Sequence, residues 1–157
     1  MATETWSAVA LRLKPIWKTN IPMKCLEKSG HFFLYKIMRD IQTREDLHLL
    51  MSEFYKKLLA DDKISFVFTE VAKIDLAPHL LDLVDFWEQI LFDTGNYSKN
   101  VLQIHQELNQ KIKLSSAHFA IWLHYFSTTI TENFEGQIAE NMKTRALSIA
   151  TVMKIKL

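Results

Sequence analysis

From Thr43 onward, apolar residues recur at the three- and four-residue spacing of one helix face, interrupted at a few polar or glycine-bearing joints. Leu47, Leu50, Met51, Phe54, Tyr55, Leu58 and Leu59 make the first stripe, and Thr43 with Asp46 three residues on predicts a capping box at its start. Asp61-Asp62 and the cluster Ile64, Phe66, Val67 and Phe68 close that helix and begin a corner. Asp75 predicts the cap of a second helix, with Pro78 tolerated in the first turn and Leu76, Leu80, Leu83, Val84, Trp87, Ile90 and Leu91 as the buried stripe. That stripe stops at Gly95-Asn96. A polar stretch over 97–109 carries only Val101, Leu102 and Leu108 around His105 and reads as a short helix or a loop. Ser115 or Ser116 predicts the start of a third long helix through Phe134, with Phe119, Trp122, Leu123, Phe126 and Ile130 on one face. Gly136 interrupts it, and a last helix to about Lys154 buries Ile138, Met142, Ala146, Ile149 and Met153.

With only three glycines and three prolines in 157 residues, the chain lacks the turn density of a β fold, so the expected class is all-α. Residues 1–38 differ from the rest: they hold six Lys/Arg against two Asp/Glu, carry Pro15 and Pro22, and show no sustained period. The expected division is an N-terminal extension over 1–38, weakly ordered or docking, and one domain over 39–157. The other reading of the extension is sequence translated ahead of a start at Met38.

Nineteen basic against eighteen acidic residues create no general field toward nucleic acid or anionic lipid, so neither is expected as a partner. The single cysteine, Cys25, allows no intrachain disulfide and no cysteine-rich metal centre, and a reducing cytoplasm is the expected location. No apolar run approaches the roughly twenty residues of a membrane helix. The six histidines, His31, His48, His79, His105, His118 and His124, include no His-x-x-x-His pair, and the glycines form no phosphate loop or nucleophile elbow. Zinc, nucleotide and serine-hydrolase chemistry are thereby disfavoured. Any one histidine taken alone is better read as a solvated or satisfied side chain than as a ligand.

A set of fixed offsets changes that weighting. Phe54-Tyr55 is followed by Phe68 thirteen residues after the tyrosine, then by His79, Asp85-Phe86-Trp87, Gly95-Asn96-Tyr97, His105, and His118-Phe119-Ala120-Ile121-Trp122-Leu123. In order and spacing, over roughly residues 40–154, this set resembles the group III truncated haemoglobins. The resemblance implies a truncated globin-like helical sandwich, two helices over two, carrying haem b (iron protoporphyrin IX). In that family the histidine eighteen residues beyond the Phe-Trp pair is the proximal iron ligand, and here it is His105. Tyr55 and Trp122 correspond to the distal tyrosine and tryptophan, His79 to the distal histidine, and Phe68 to the corner phenylalanine that wedges the porphyrin. Leu83, Phe86 and Trp87 would line the apolar wall.

Physical chemistry agrees with these roles. An iron needs a neutral imidazole oriented through its other ring nitrogen, and buried O–H and N–H donors stabilise dioxygen bound opposite. Each position also has a plainer reading: Tyr55 and Trp122 as core aromatics, His79 as a polar cap in water, His105 as a solvent-facing residue on a connector. The functional expectation is reversible binding of dioxygen, nitric oxide or carbon monoxide at a histidine-ligated haem. One alternative is a haem oxidoreductase, of nitric oxide dioxygenase or peroxidase-like type, using Tyr55 and Trp122 and a reductase partner. The other is a haem-free helical interaction module that retains only the scaffold.

Overall fold

A computed structural model of the chain describes residues 38–157. The extension expected over 1–38, with Cys25 and His31, lies outside the described residues except for Met38.

Helix α1 spans Arg44–Leu59 and starts as its sequence predicts. Thr43 Oγ1 accepts from the Asp46 amide at 3.2 Å, and Asp46 Oδ2 accepts from the Thr43 amide at 3.1 Å. These bonds satisfy donors that a helix end otherwise leaves unpaired. The face that follows, Leu47, Leu50, Met51, Phe54, Tyr55 and Leu58, is buried throughout. A one-turn π-helix at Val67–Val71 forms the corner after α1. Its wider turn sets the Phe68 ring edge-on to Tyr55 at 5.7 Å, and insertions of this kind often mark functional positions.

Helix α2 spans Leu76–Phe92, with Asp75 at its N-cap position, but the Asp75 side chain makes no cap bond. The Asp75 backbone carbonyl accepts the first helical bond, from the His79 amide at 3.1 Å, and Pro78 leaves no amide hydrogen at the third position for the side chain to accept. The predicted stripe has the right phase and an overstated depth: Val84 and Trp87 are buried, whereas Leu76, the first residue of the helix, is 37 % exposed. Leu80, Leu83, Ile90 and Leu91 are half-buried against the core. Beyond α2, Gly95 lies so close to the helix that a Cβ would meet the Asp85 carbonyl oxygen and stand 2.6 Å from the Gln89 amide nitrogen. Only glycine lets the chain turn back that tightly.

The polar stretch forms helix α3, Val101–Lys111, capped by Asn100 through the Gln103 amide at 3.1 Å. Ser115, not Ser116, caps α4, Ser116–Asn133, accepting from the His118 amide at 3.3 Å. Helix α5 spans Gln137–Lys156. Helices α1 and α2 form one packed pair and α4 and α5 the other, joined by α1 on α4 and α2 on α5. An aromatic ladder fills the centre: Trp87 stacks on Phe126 at 5.1 Å, Phe126 on Trp122 at 4.8 Å, and Phe54 meets Phe126 edge-on at 5.2 Å. Helix α3 contributes no fully buried residue and rests on the core through Leu108 and, just past its end, Ile112. No helix among the described residues is long and apolar enough to cross a membrane.

Helix α5 takes its cap from the other end of the domain. Gly136 at its N-cap (φ 154°) supplies no side chain, and the Asp40 carboxylate accepts from the Ile138 and Ala139 amides at 2.8 and 2.9 Å. Partial burial opposes ionisation of Asp40, but bonds from the Ile138, Ala139, Ile41 and Gln137 amides outweigh it and hold the carboxyl below its usual range. A depressed folded-state value means the stabilisation is present above the unfolded value near pH 4 and fades as pH falls through the folded one. Asp40→Ala is expected to cost about 1–2 kcal/mol at neutral pH, the worth of a good N-cap. Its deficit should shrink below about pH 4. Urea denaturation of parent and variant at pH 7 and pH 3 checks both points, and a deficit of constant size would show that the carboxylate charge is not its source.

Candidate functional site

Each side chain singled out in the sequence is delivered by a different element. Tyr55 comes from the fourth turn of α1, Phe68 from the π-helical corner, His79, Leu83, Phe86 and Trp87 from α2, His105 from the middle of α3, and Trp122 from α4.

Tyr55 is 3 % exposed, and its hydroxyl stands 2.6 Å from Nε2 of His79, with the two rings edge-on at 5.3 Å. Burial pushes the phenol up, so Tyr55 keeps its proton. His79 is half-buried rather than a solvated cap. Burial pulls its imidazole below the usual value, as do Lys99 and His105, with Asp82 acting against them. The pair therefore consists of a protonated phenol and a neutral imidazole. In one histidine tautomer Tyr55 donates to Nε2; in the other Nε2–H donates to the phenol oxygen and leaves the Tyr55 O–H available to a third group.

His105 holds a different kind of bond. Its Nδ1 lies 2.8 Å from the Val101 carbonyl oxygen, one turn back on α3. A carbonyl only accepts, so Nδ1 carries the hydrogen in this bond, and in the neutral ring Nε2 keeps its lone pair. Nε2 makes no hydrogen bond to any described residue. His105 is near enough to His79 that a charge on it disfavours a second charge there. The structure thus joins Tyr55, His79 and Phe68 by direct contact, with His105 in electrostatic reach of His79.

Trp122 is half-buried, stacked on Phe126, and edge-on to Phe54 at 5.5 Å. Its indole N–H finds no acceptor among the described residues. Phe86 and Leu83 are half-buried, Phe86 packing against Tyr97 at 5.1 Å. Trp87, at 2 % exposure, stands in the core behind this wall.

Three further residues join the neighbourhood, of which Lys99 and Asp82 carry no sequence signal of their own and Tyr97 belongs to the matched Gly95-Asn96-Tyr97. Lys99 pairs with Asp82, and both act on the His79 imidazole. Tyr97 joins them through its ring contact with Phe86, its phenol raised first by burial. For Lys99 and Asp82, only adjacency to Tyr97 and His79 in the matched spacing could have pointed to them.

Chemically, the arrangement offers an imidazole held by its Nδ1, a protonated phenol paired with a second imidazole, an indole N–H, and half-buried apolar side chains. Those are the requirements of a flat, largely apolar metal complex with one protein ligand.

No family model matches the chain, and no curated protein matches it in sequence. Among solved structures, the fold is similar to that of the group III truncated haemoglobin from Campylobacter jejuni, with a TM-score of 0.69 and 22 % identity over 77 % of this chain and 95 % of that one. At that identity the likeness is one of backbone, and it shows that the chain has the truncated-globin fold.

Proposed function

We propose that this chain is a haem protein of the truncated-globin family that binds haem b through His105 and accepts a diatomic ligand, dioxygen first among them, on the side of Tyr55, His79 and Trp122. The observation that carries the reading is the His105 ring. It is held by Nδ1 to the Val101 carbonyl, so its Nε2 lone pair is oriented and unengaged. Bound haem would supply the iron at which a small gaseous molecule is held.

The chain's own residues would do the rest. Phe68, Leu83, Phe86 and Leu80 offer apolar contact to a porphyrin, and their half-burial fits surfaces that a flat partner would cover. Lys99, placed by Asp82, would meet a propionate. Tyr55 and Trp122 would donate hydrogen bonds to the diatomic ligand, and His79 would fix which way the Tyr55 hydrogen points. The cytoplasm remains the proposed location.

One observation favours a second reading, the haem oxidoreductase. Tyr55, His79 and Trp122 amount to more donors than reversible carriage requires, and strong donors both slow ligand release and polarise its bond. That reading needs a reductase or a small reductant as electron source. The haem-free interaction module is the third.

The experiment is reconstitution of the purified chain with haemin, followed by spectra of the ferric form and of the ferrous form under carbon monoxide. A sharp ferrous–CO Soret band at one haem per chain is expected. Its absence would remove the haem readings and leave the interaction module.

A further inference from the structure

We infer that Asn109 is a positioning residue for His105, tying helix α3 to the end of α5 so that the imidazole is presented in one orientation. The inference rests on the proposed role of His105. Asn109 lies one helical turn beyond His105 on α3, so the two side chains share a face of a short helix. That helix needs an external hold, because none of its residues is fully buried, and an 11-residue helix is marginal without tertiary support.

Asn109 provides the hold through both halves of its amide. Nδ2 donates to the Leu157 backbone carbonyl at 2.9 Å, just past the last turn of α5. Oδ1 accepts from the Leu114 amide at 2.8 Å, in the connection between α3 and α4. One side chain thus fastens the end of α3, the turn into α4 and the end of α5. Both bonds are partly shielded from water, where breaking one leaves a poorly solvated partner. Besides Leu108 and Ile112 against the core, the segment is held ahead of the helix by the Tyr97–Phe86 ring contact and by the Lys99–Asp82 ion pair, which is exposed and therefore weak. Releasing Asn109 would let α3 rotate or fray from its C-terminal end, and the Val101–His105 bond would move with it.

Two variants separate the halves. Asn109→Ala removes both bonds; Asn109→Asp keeps an acceptor for Leu114 and loses the donor to Leu157. Two readouts are taken on the haem-free full chain: hydrogen exchange of the α3 amides, and ¹⁵N NMR of the His105 ring, which reports the fraction with hydrogen on Nδ1. A third is the iron–histidine stretching band of the ferrous haem-loaded protein. Amide exchange in α3 is expected to rise about tenfold in Asn109→Asp, the size of one lost hydrogen bond, and further in Asn109→Ala, which loses two, with α1 and α4 unchanged in both. The Nδ1–H population should fall and the iron–histidine band broaden or shift.

Unchanged exchange in α3 would overturn the tie. Faster exchange with an unaltered His105 tautomer and band would overturn the positioning role and make Asn109 a simple staple. Failure of the parent to take up haemin would sink the haem reading alone, because the haem-free readouts still decide whether Asn109 orients His105.

Discussion

His105→Ala is expected to abolish stable haem retention: the ferrous–CO Soret band seen in the parent should be lost or displaced, and transfer of haem to an acceptor apoprotein should accelerate by more than about 100-fold. Loss of a residue that merely supports a metal ligand costs roughly 10- to 100-fold, so removing the ligand itself should exceed that range. The scaffold should survive. His105 is half-buried on a helix with no fully buried residue, and its bond to Val101 is local to α3. The haem-free variant should therefore unfold within about 0.5 kcal/mol of the parent, as most substitutions away from a core do. Two controls sharpen the result. His48→Ala alters an exposed histidine on the outer face of α1 and should leave the spectrum unchanged. Added imidazole should restore a six- or five-coordinate spectrum in His105→Ala by supplying the missing nitrogen. Identical Soret bands in parent and variant would mean that another group ligates the iron, and His79, the other histidine of this neighbourhood, would then be the next to test.

How much of this was legible in the sequence depends on the distance over which each interaction acts. The Thr43–Asp46 capping box, the α1 stripe and the Ser115 cap involve residues within one or two turns, and the structure contains them as the pattern predicts. The globin-like all-α fold was legible for a related reason, since helical periodicity and joint spacing are both local measures. Depth was harder to read. Leu76 has the phase of a buried residue but is exposed at the very start of α2, and periodicity reports phase alone.

Partners distant in sequence left no trace. Asp40 caps a helix whose amides lie 98 and 99 residues away, and Asn109 reaches 48 residues to Leu157. The side chain of Asp75, read as a cap from its type and place, makes no cap bond, and the third helical position, whose amide a cap would accept from, is Pro78, which has no N–H. At the candidate site, the buried phenol demanded a partner, but only the fold could show that the partner is His79. Likewise the offset singled out His105, while its bond to Val101 had to be seen.

Tyr55→Phe, made in the haem-loaded protein, is expected to speed dioxygen dissociation by about 10- to 100-fold. A hydrogen bond to a ligand that has taken on negative charge contributes about 1.5–3 kcal/mol, and each 1.4 kcal/mol is a factor of ten. The structure says why Tyr55 is suited to this role. Its phenol stays protonated in its buried setting, and when Nε2–H of the neutral His79 donates to the phenol oxygen, the Tyr55 hydrogen must point elsewhere. Dissociation of carbon monoxide, which takes on far less charge, should change much less, so the ratio of the two effects separates lost hydrogen bonding from altered packing. The haem-free variant should lose about 1 kcal/mol at most, since the phenyl ring retains its edge contacts with Phe54 and Phe68 and only the His79 bond is removed. Unaltered dioxygen dissociation would take Tyr55 out of the ligand site and return it to the core. The same variant also decides between carriage and catalysis when reductant-driven turnover of nitric oxide or peroxide is measured beside it. Turnover that falls with the loss of the hydroxyl would favour the oxidoreductase, because a donor needed for chemistry acts on the polarised ligand. Equal or absent turnover in both proteins, with faster release in Tyr55→Phe alone, would assign the tyrosine to holding dioxygen.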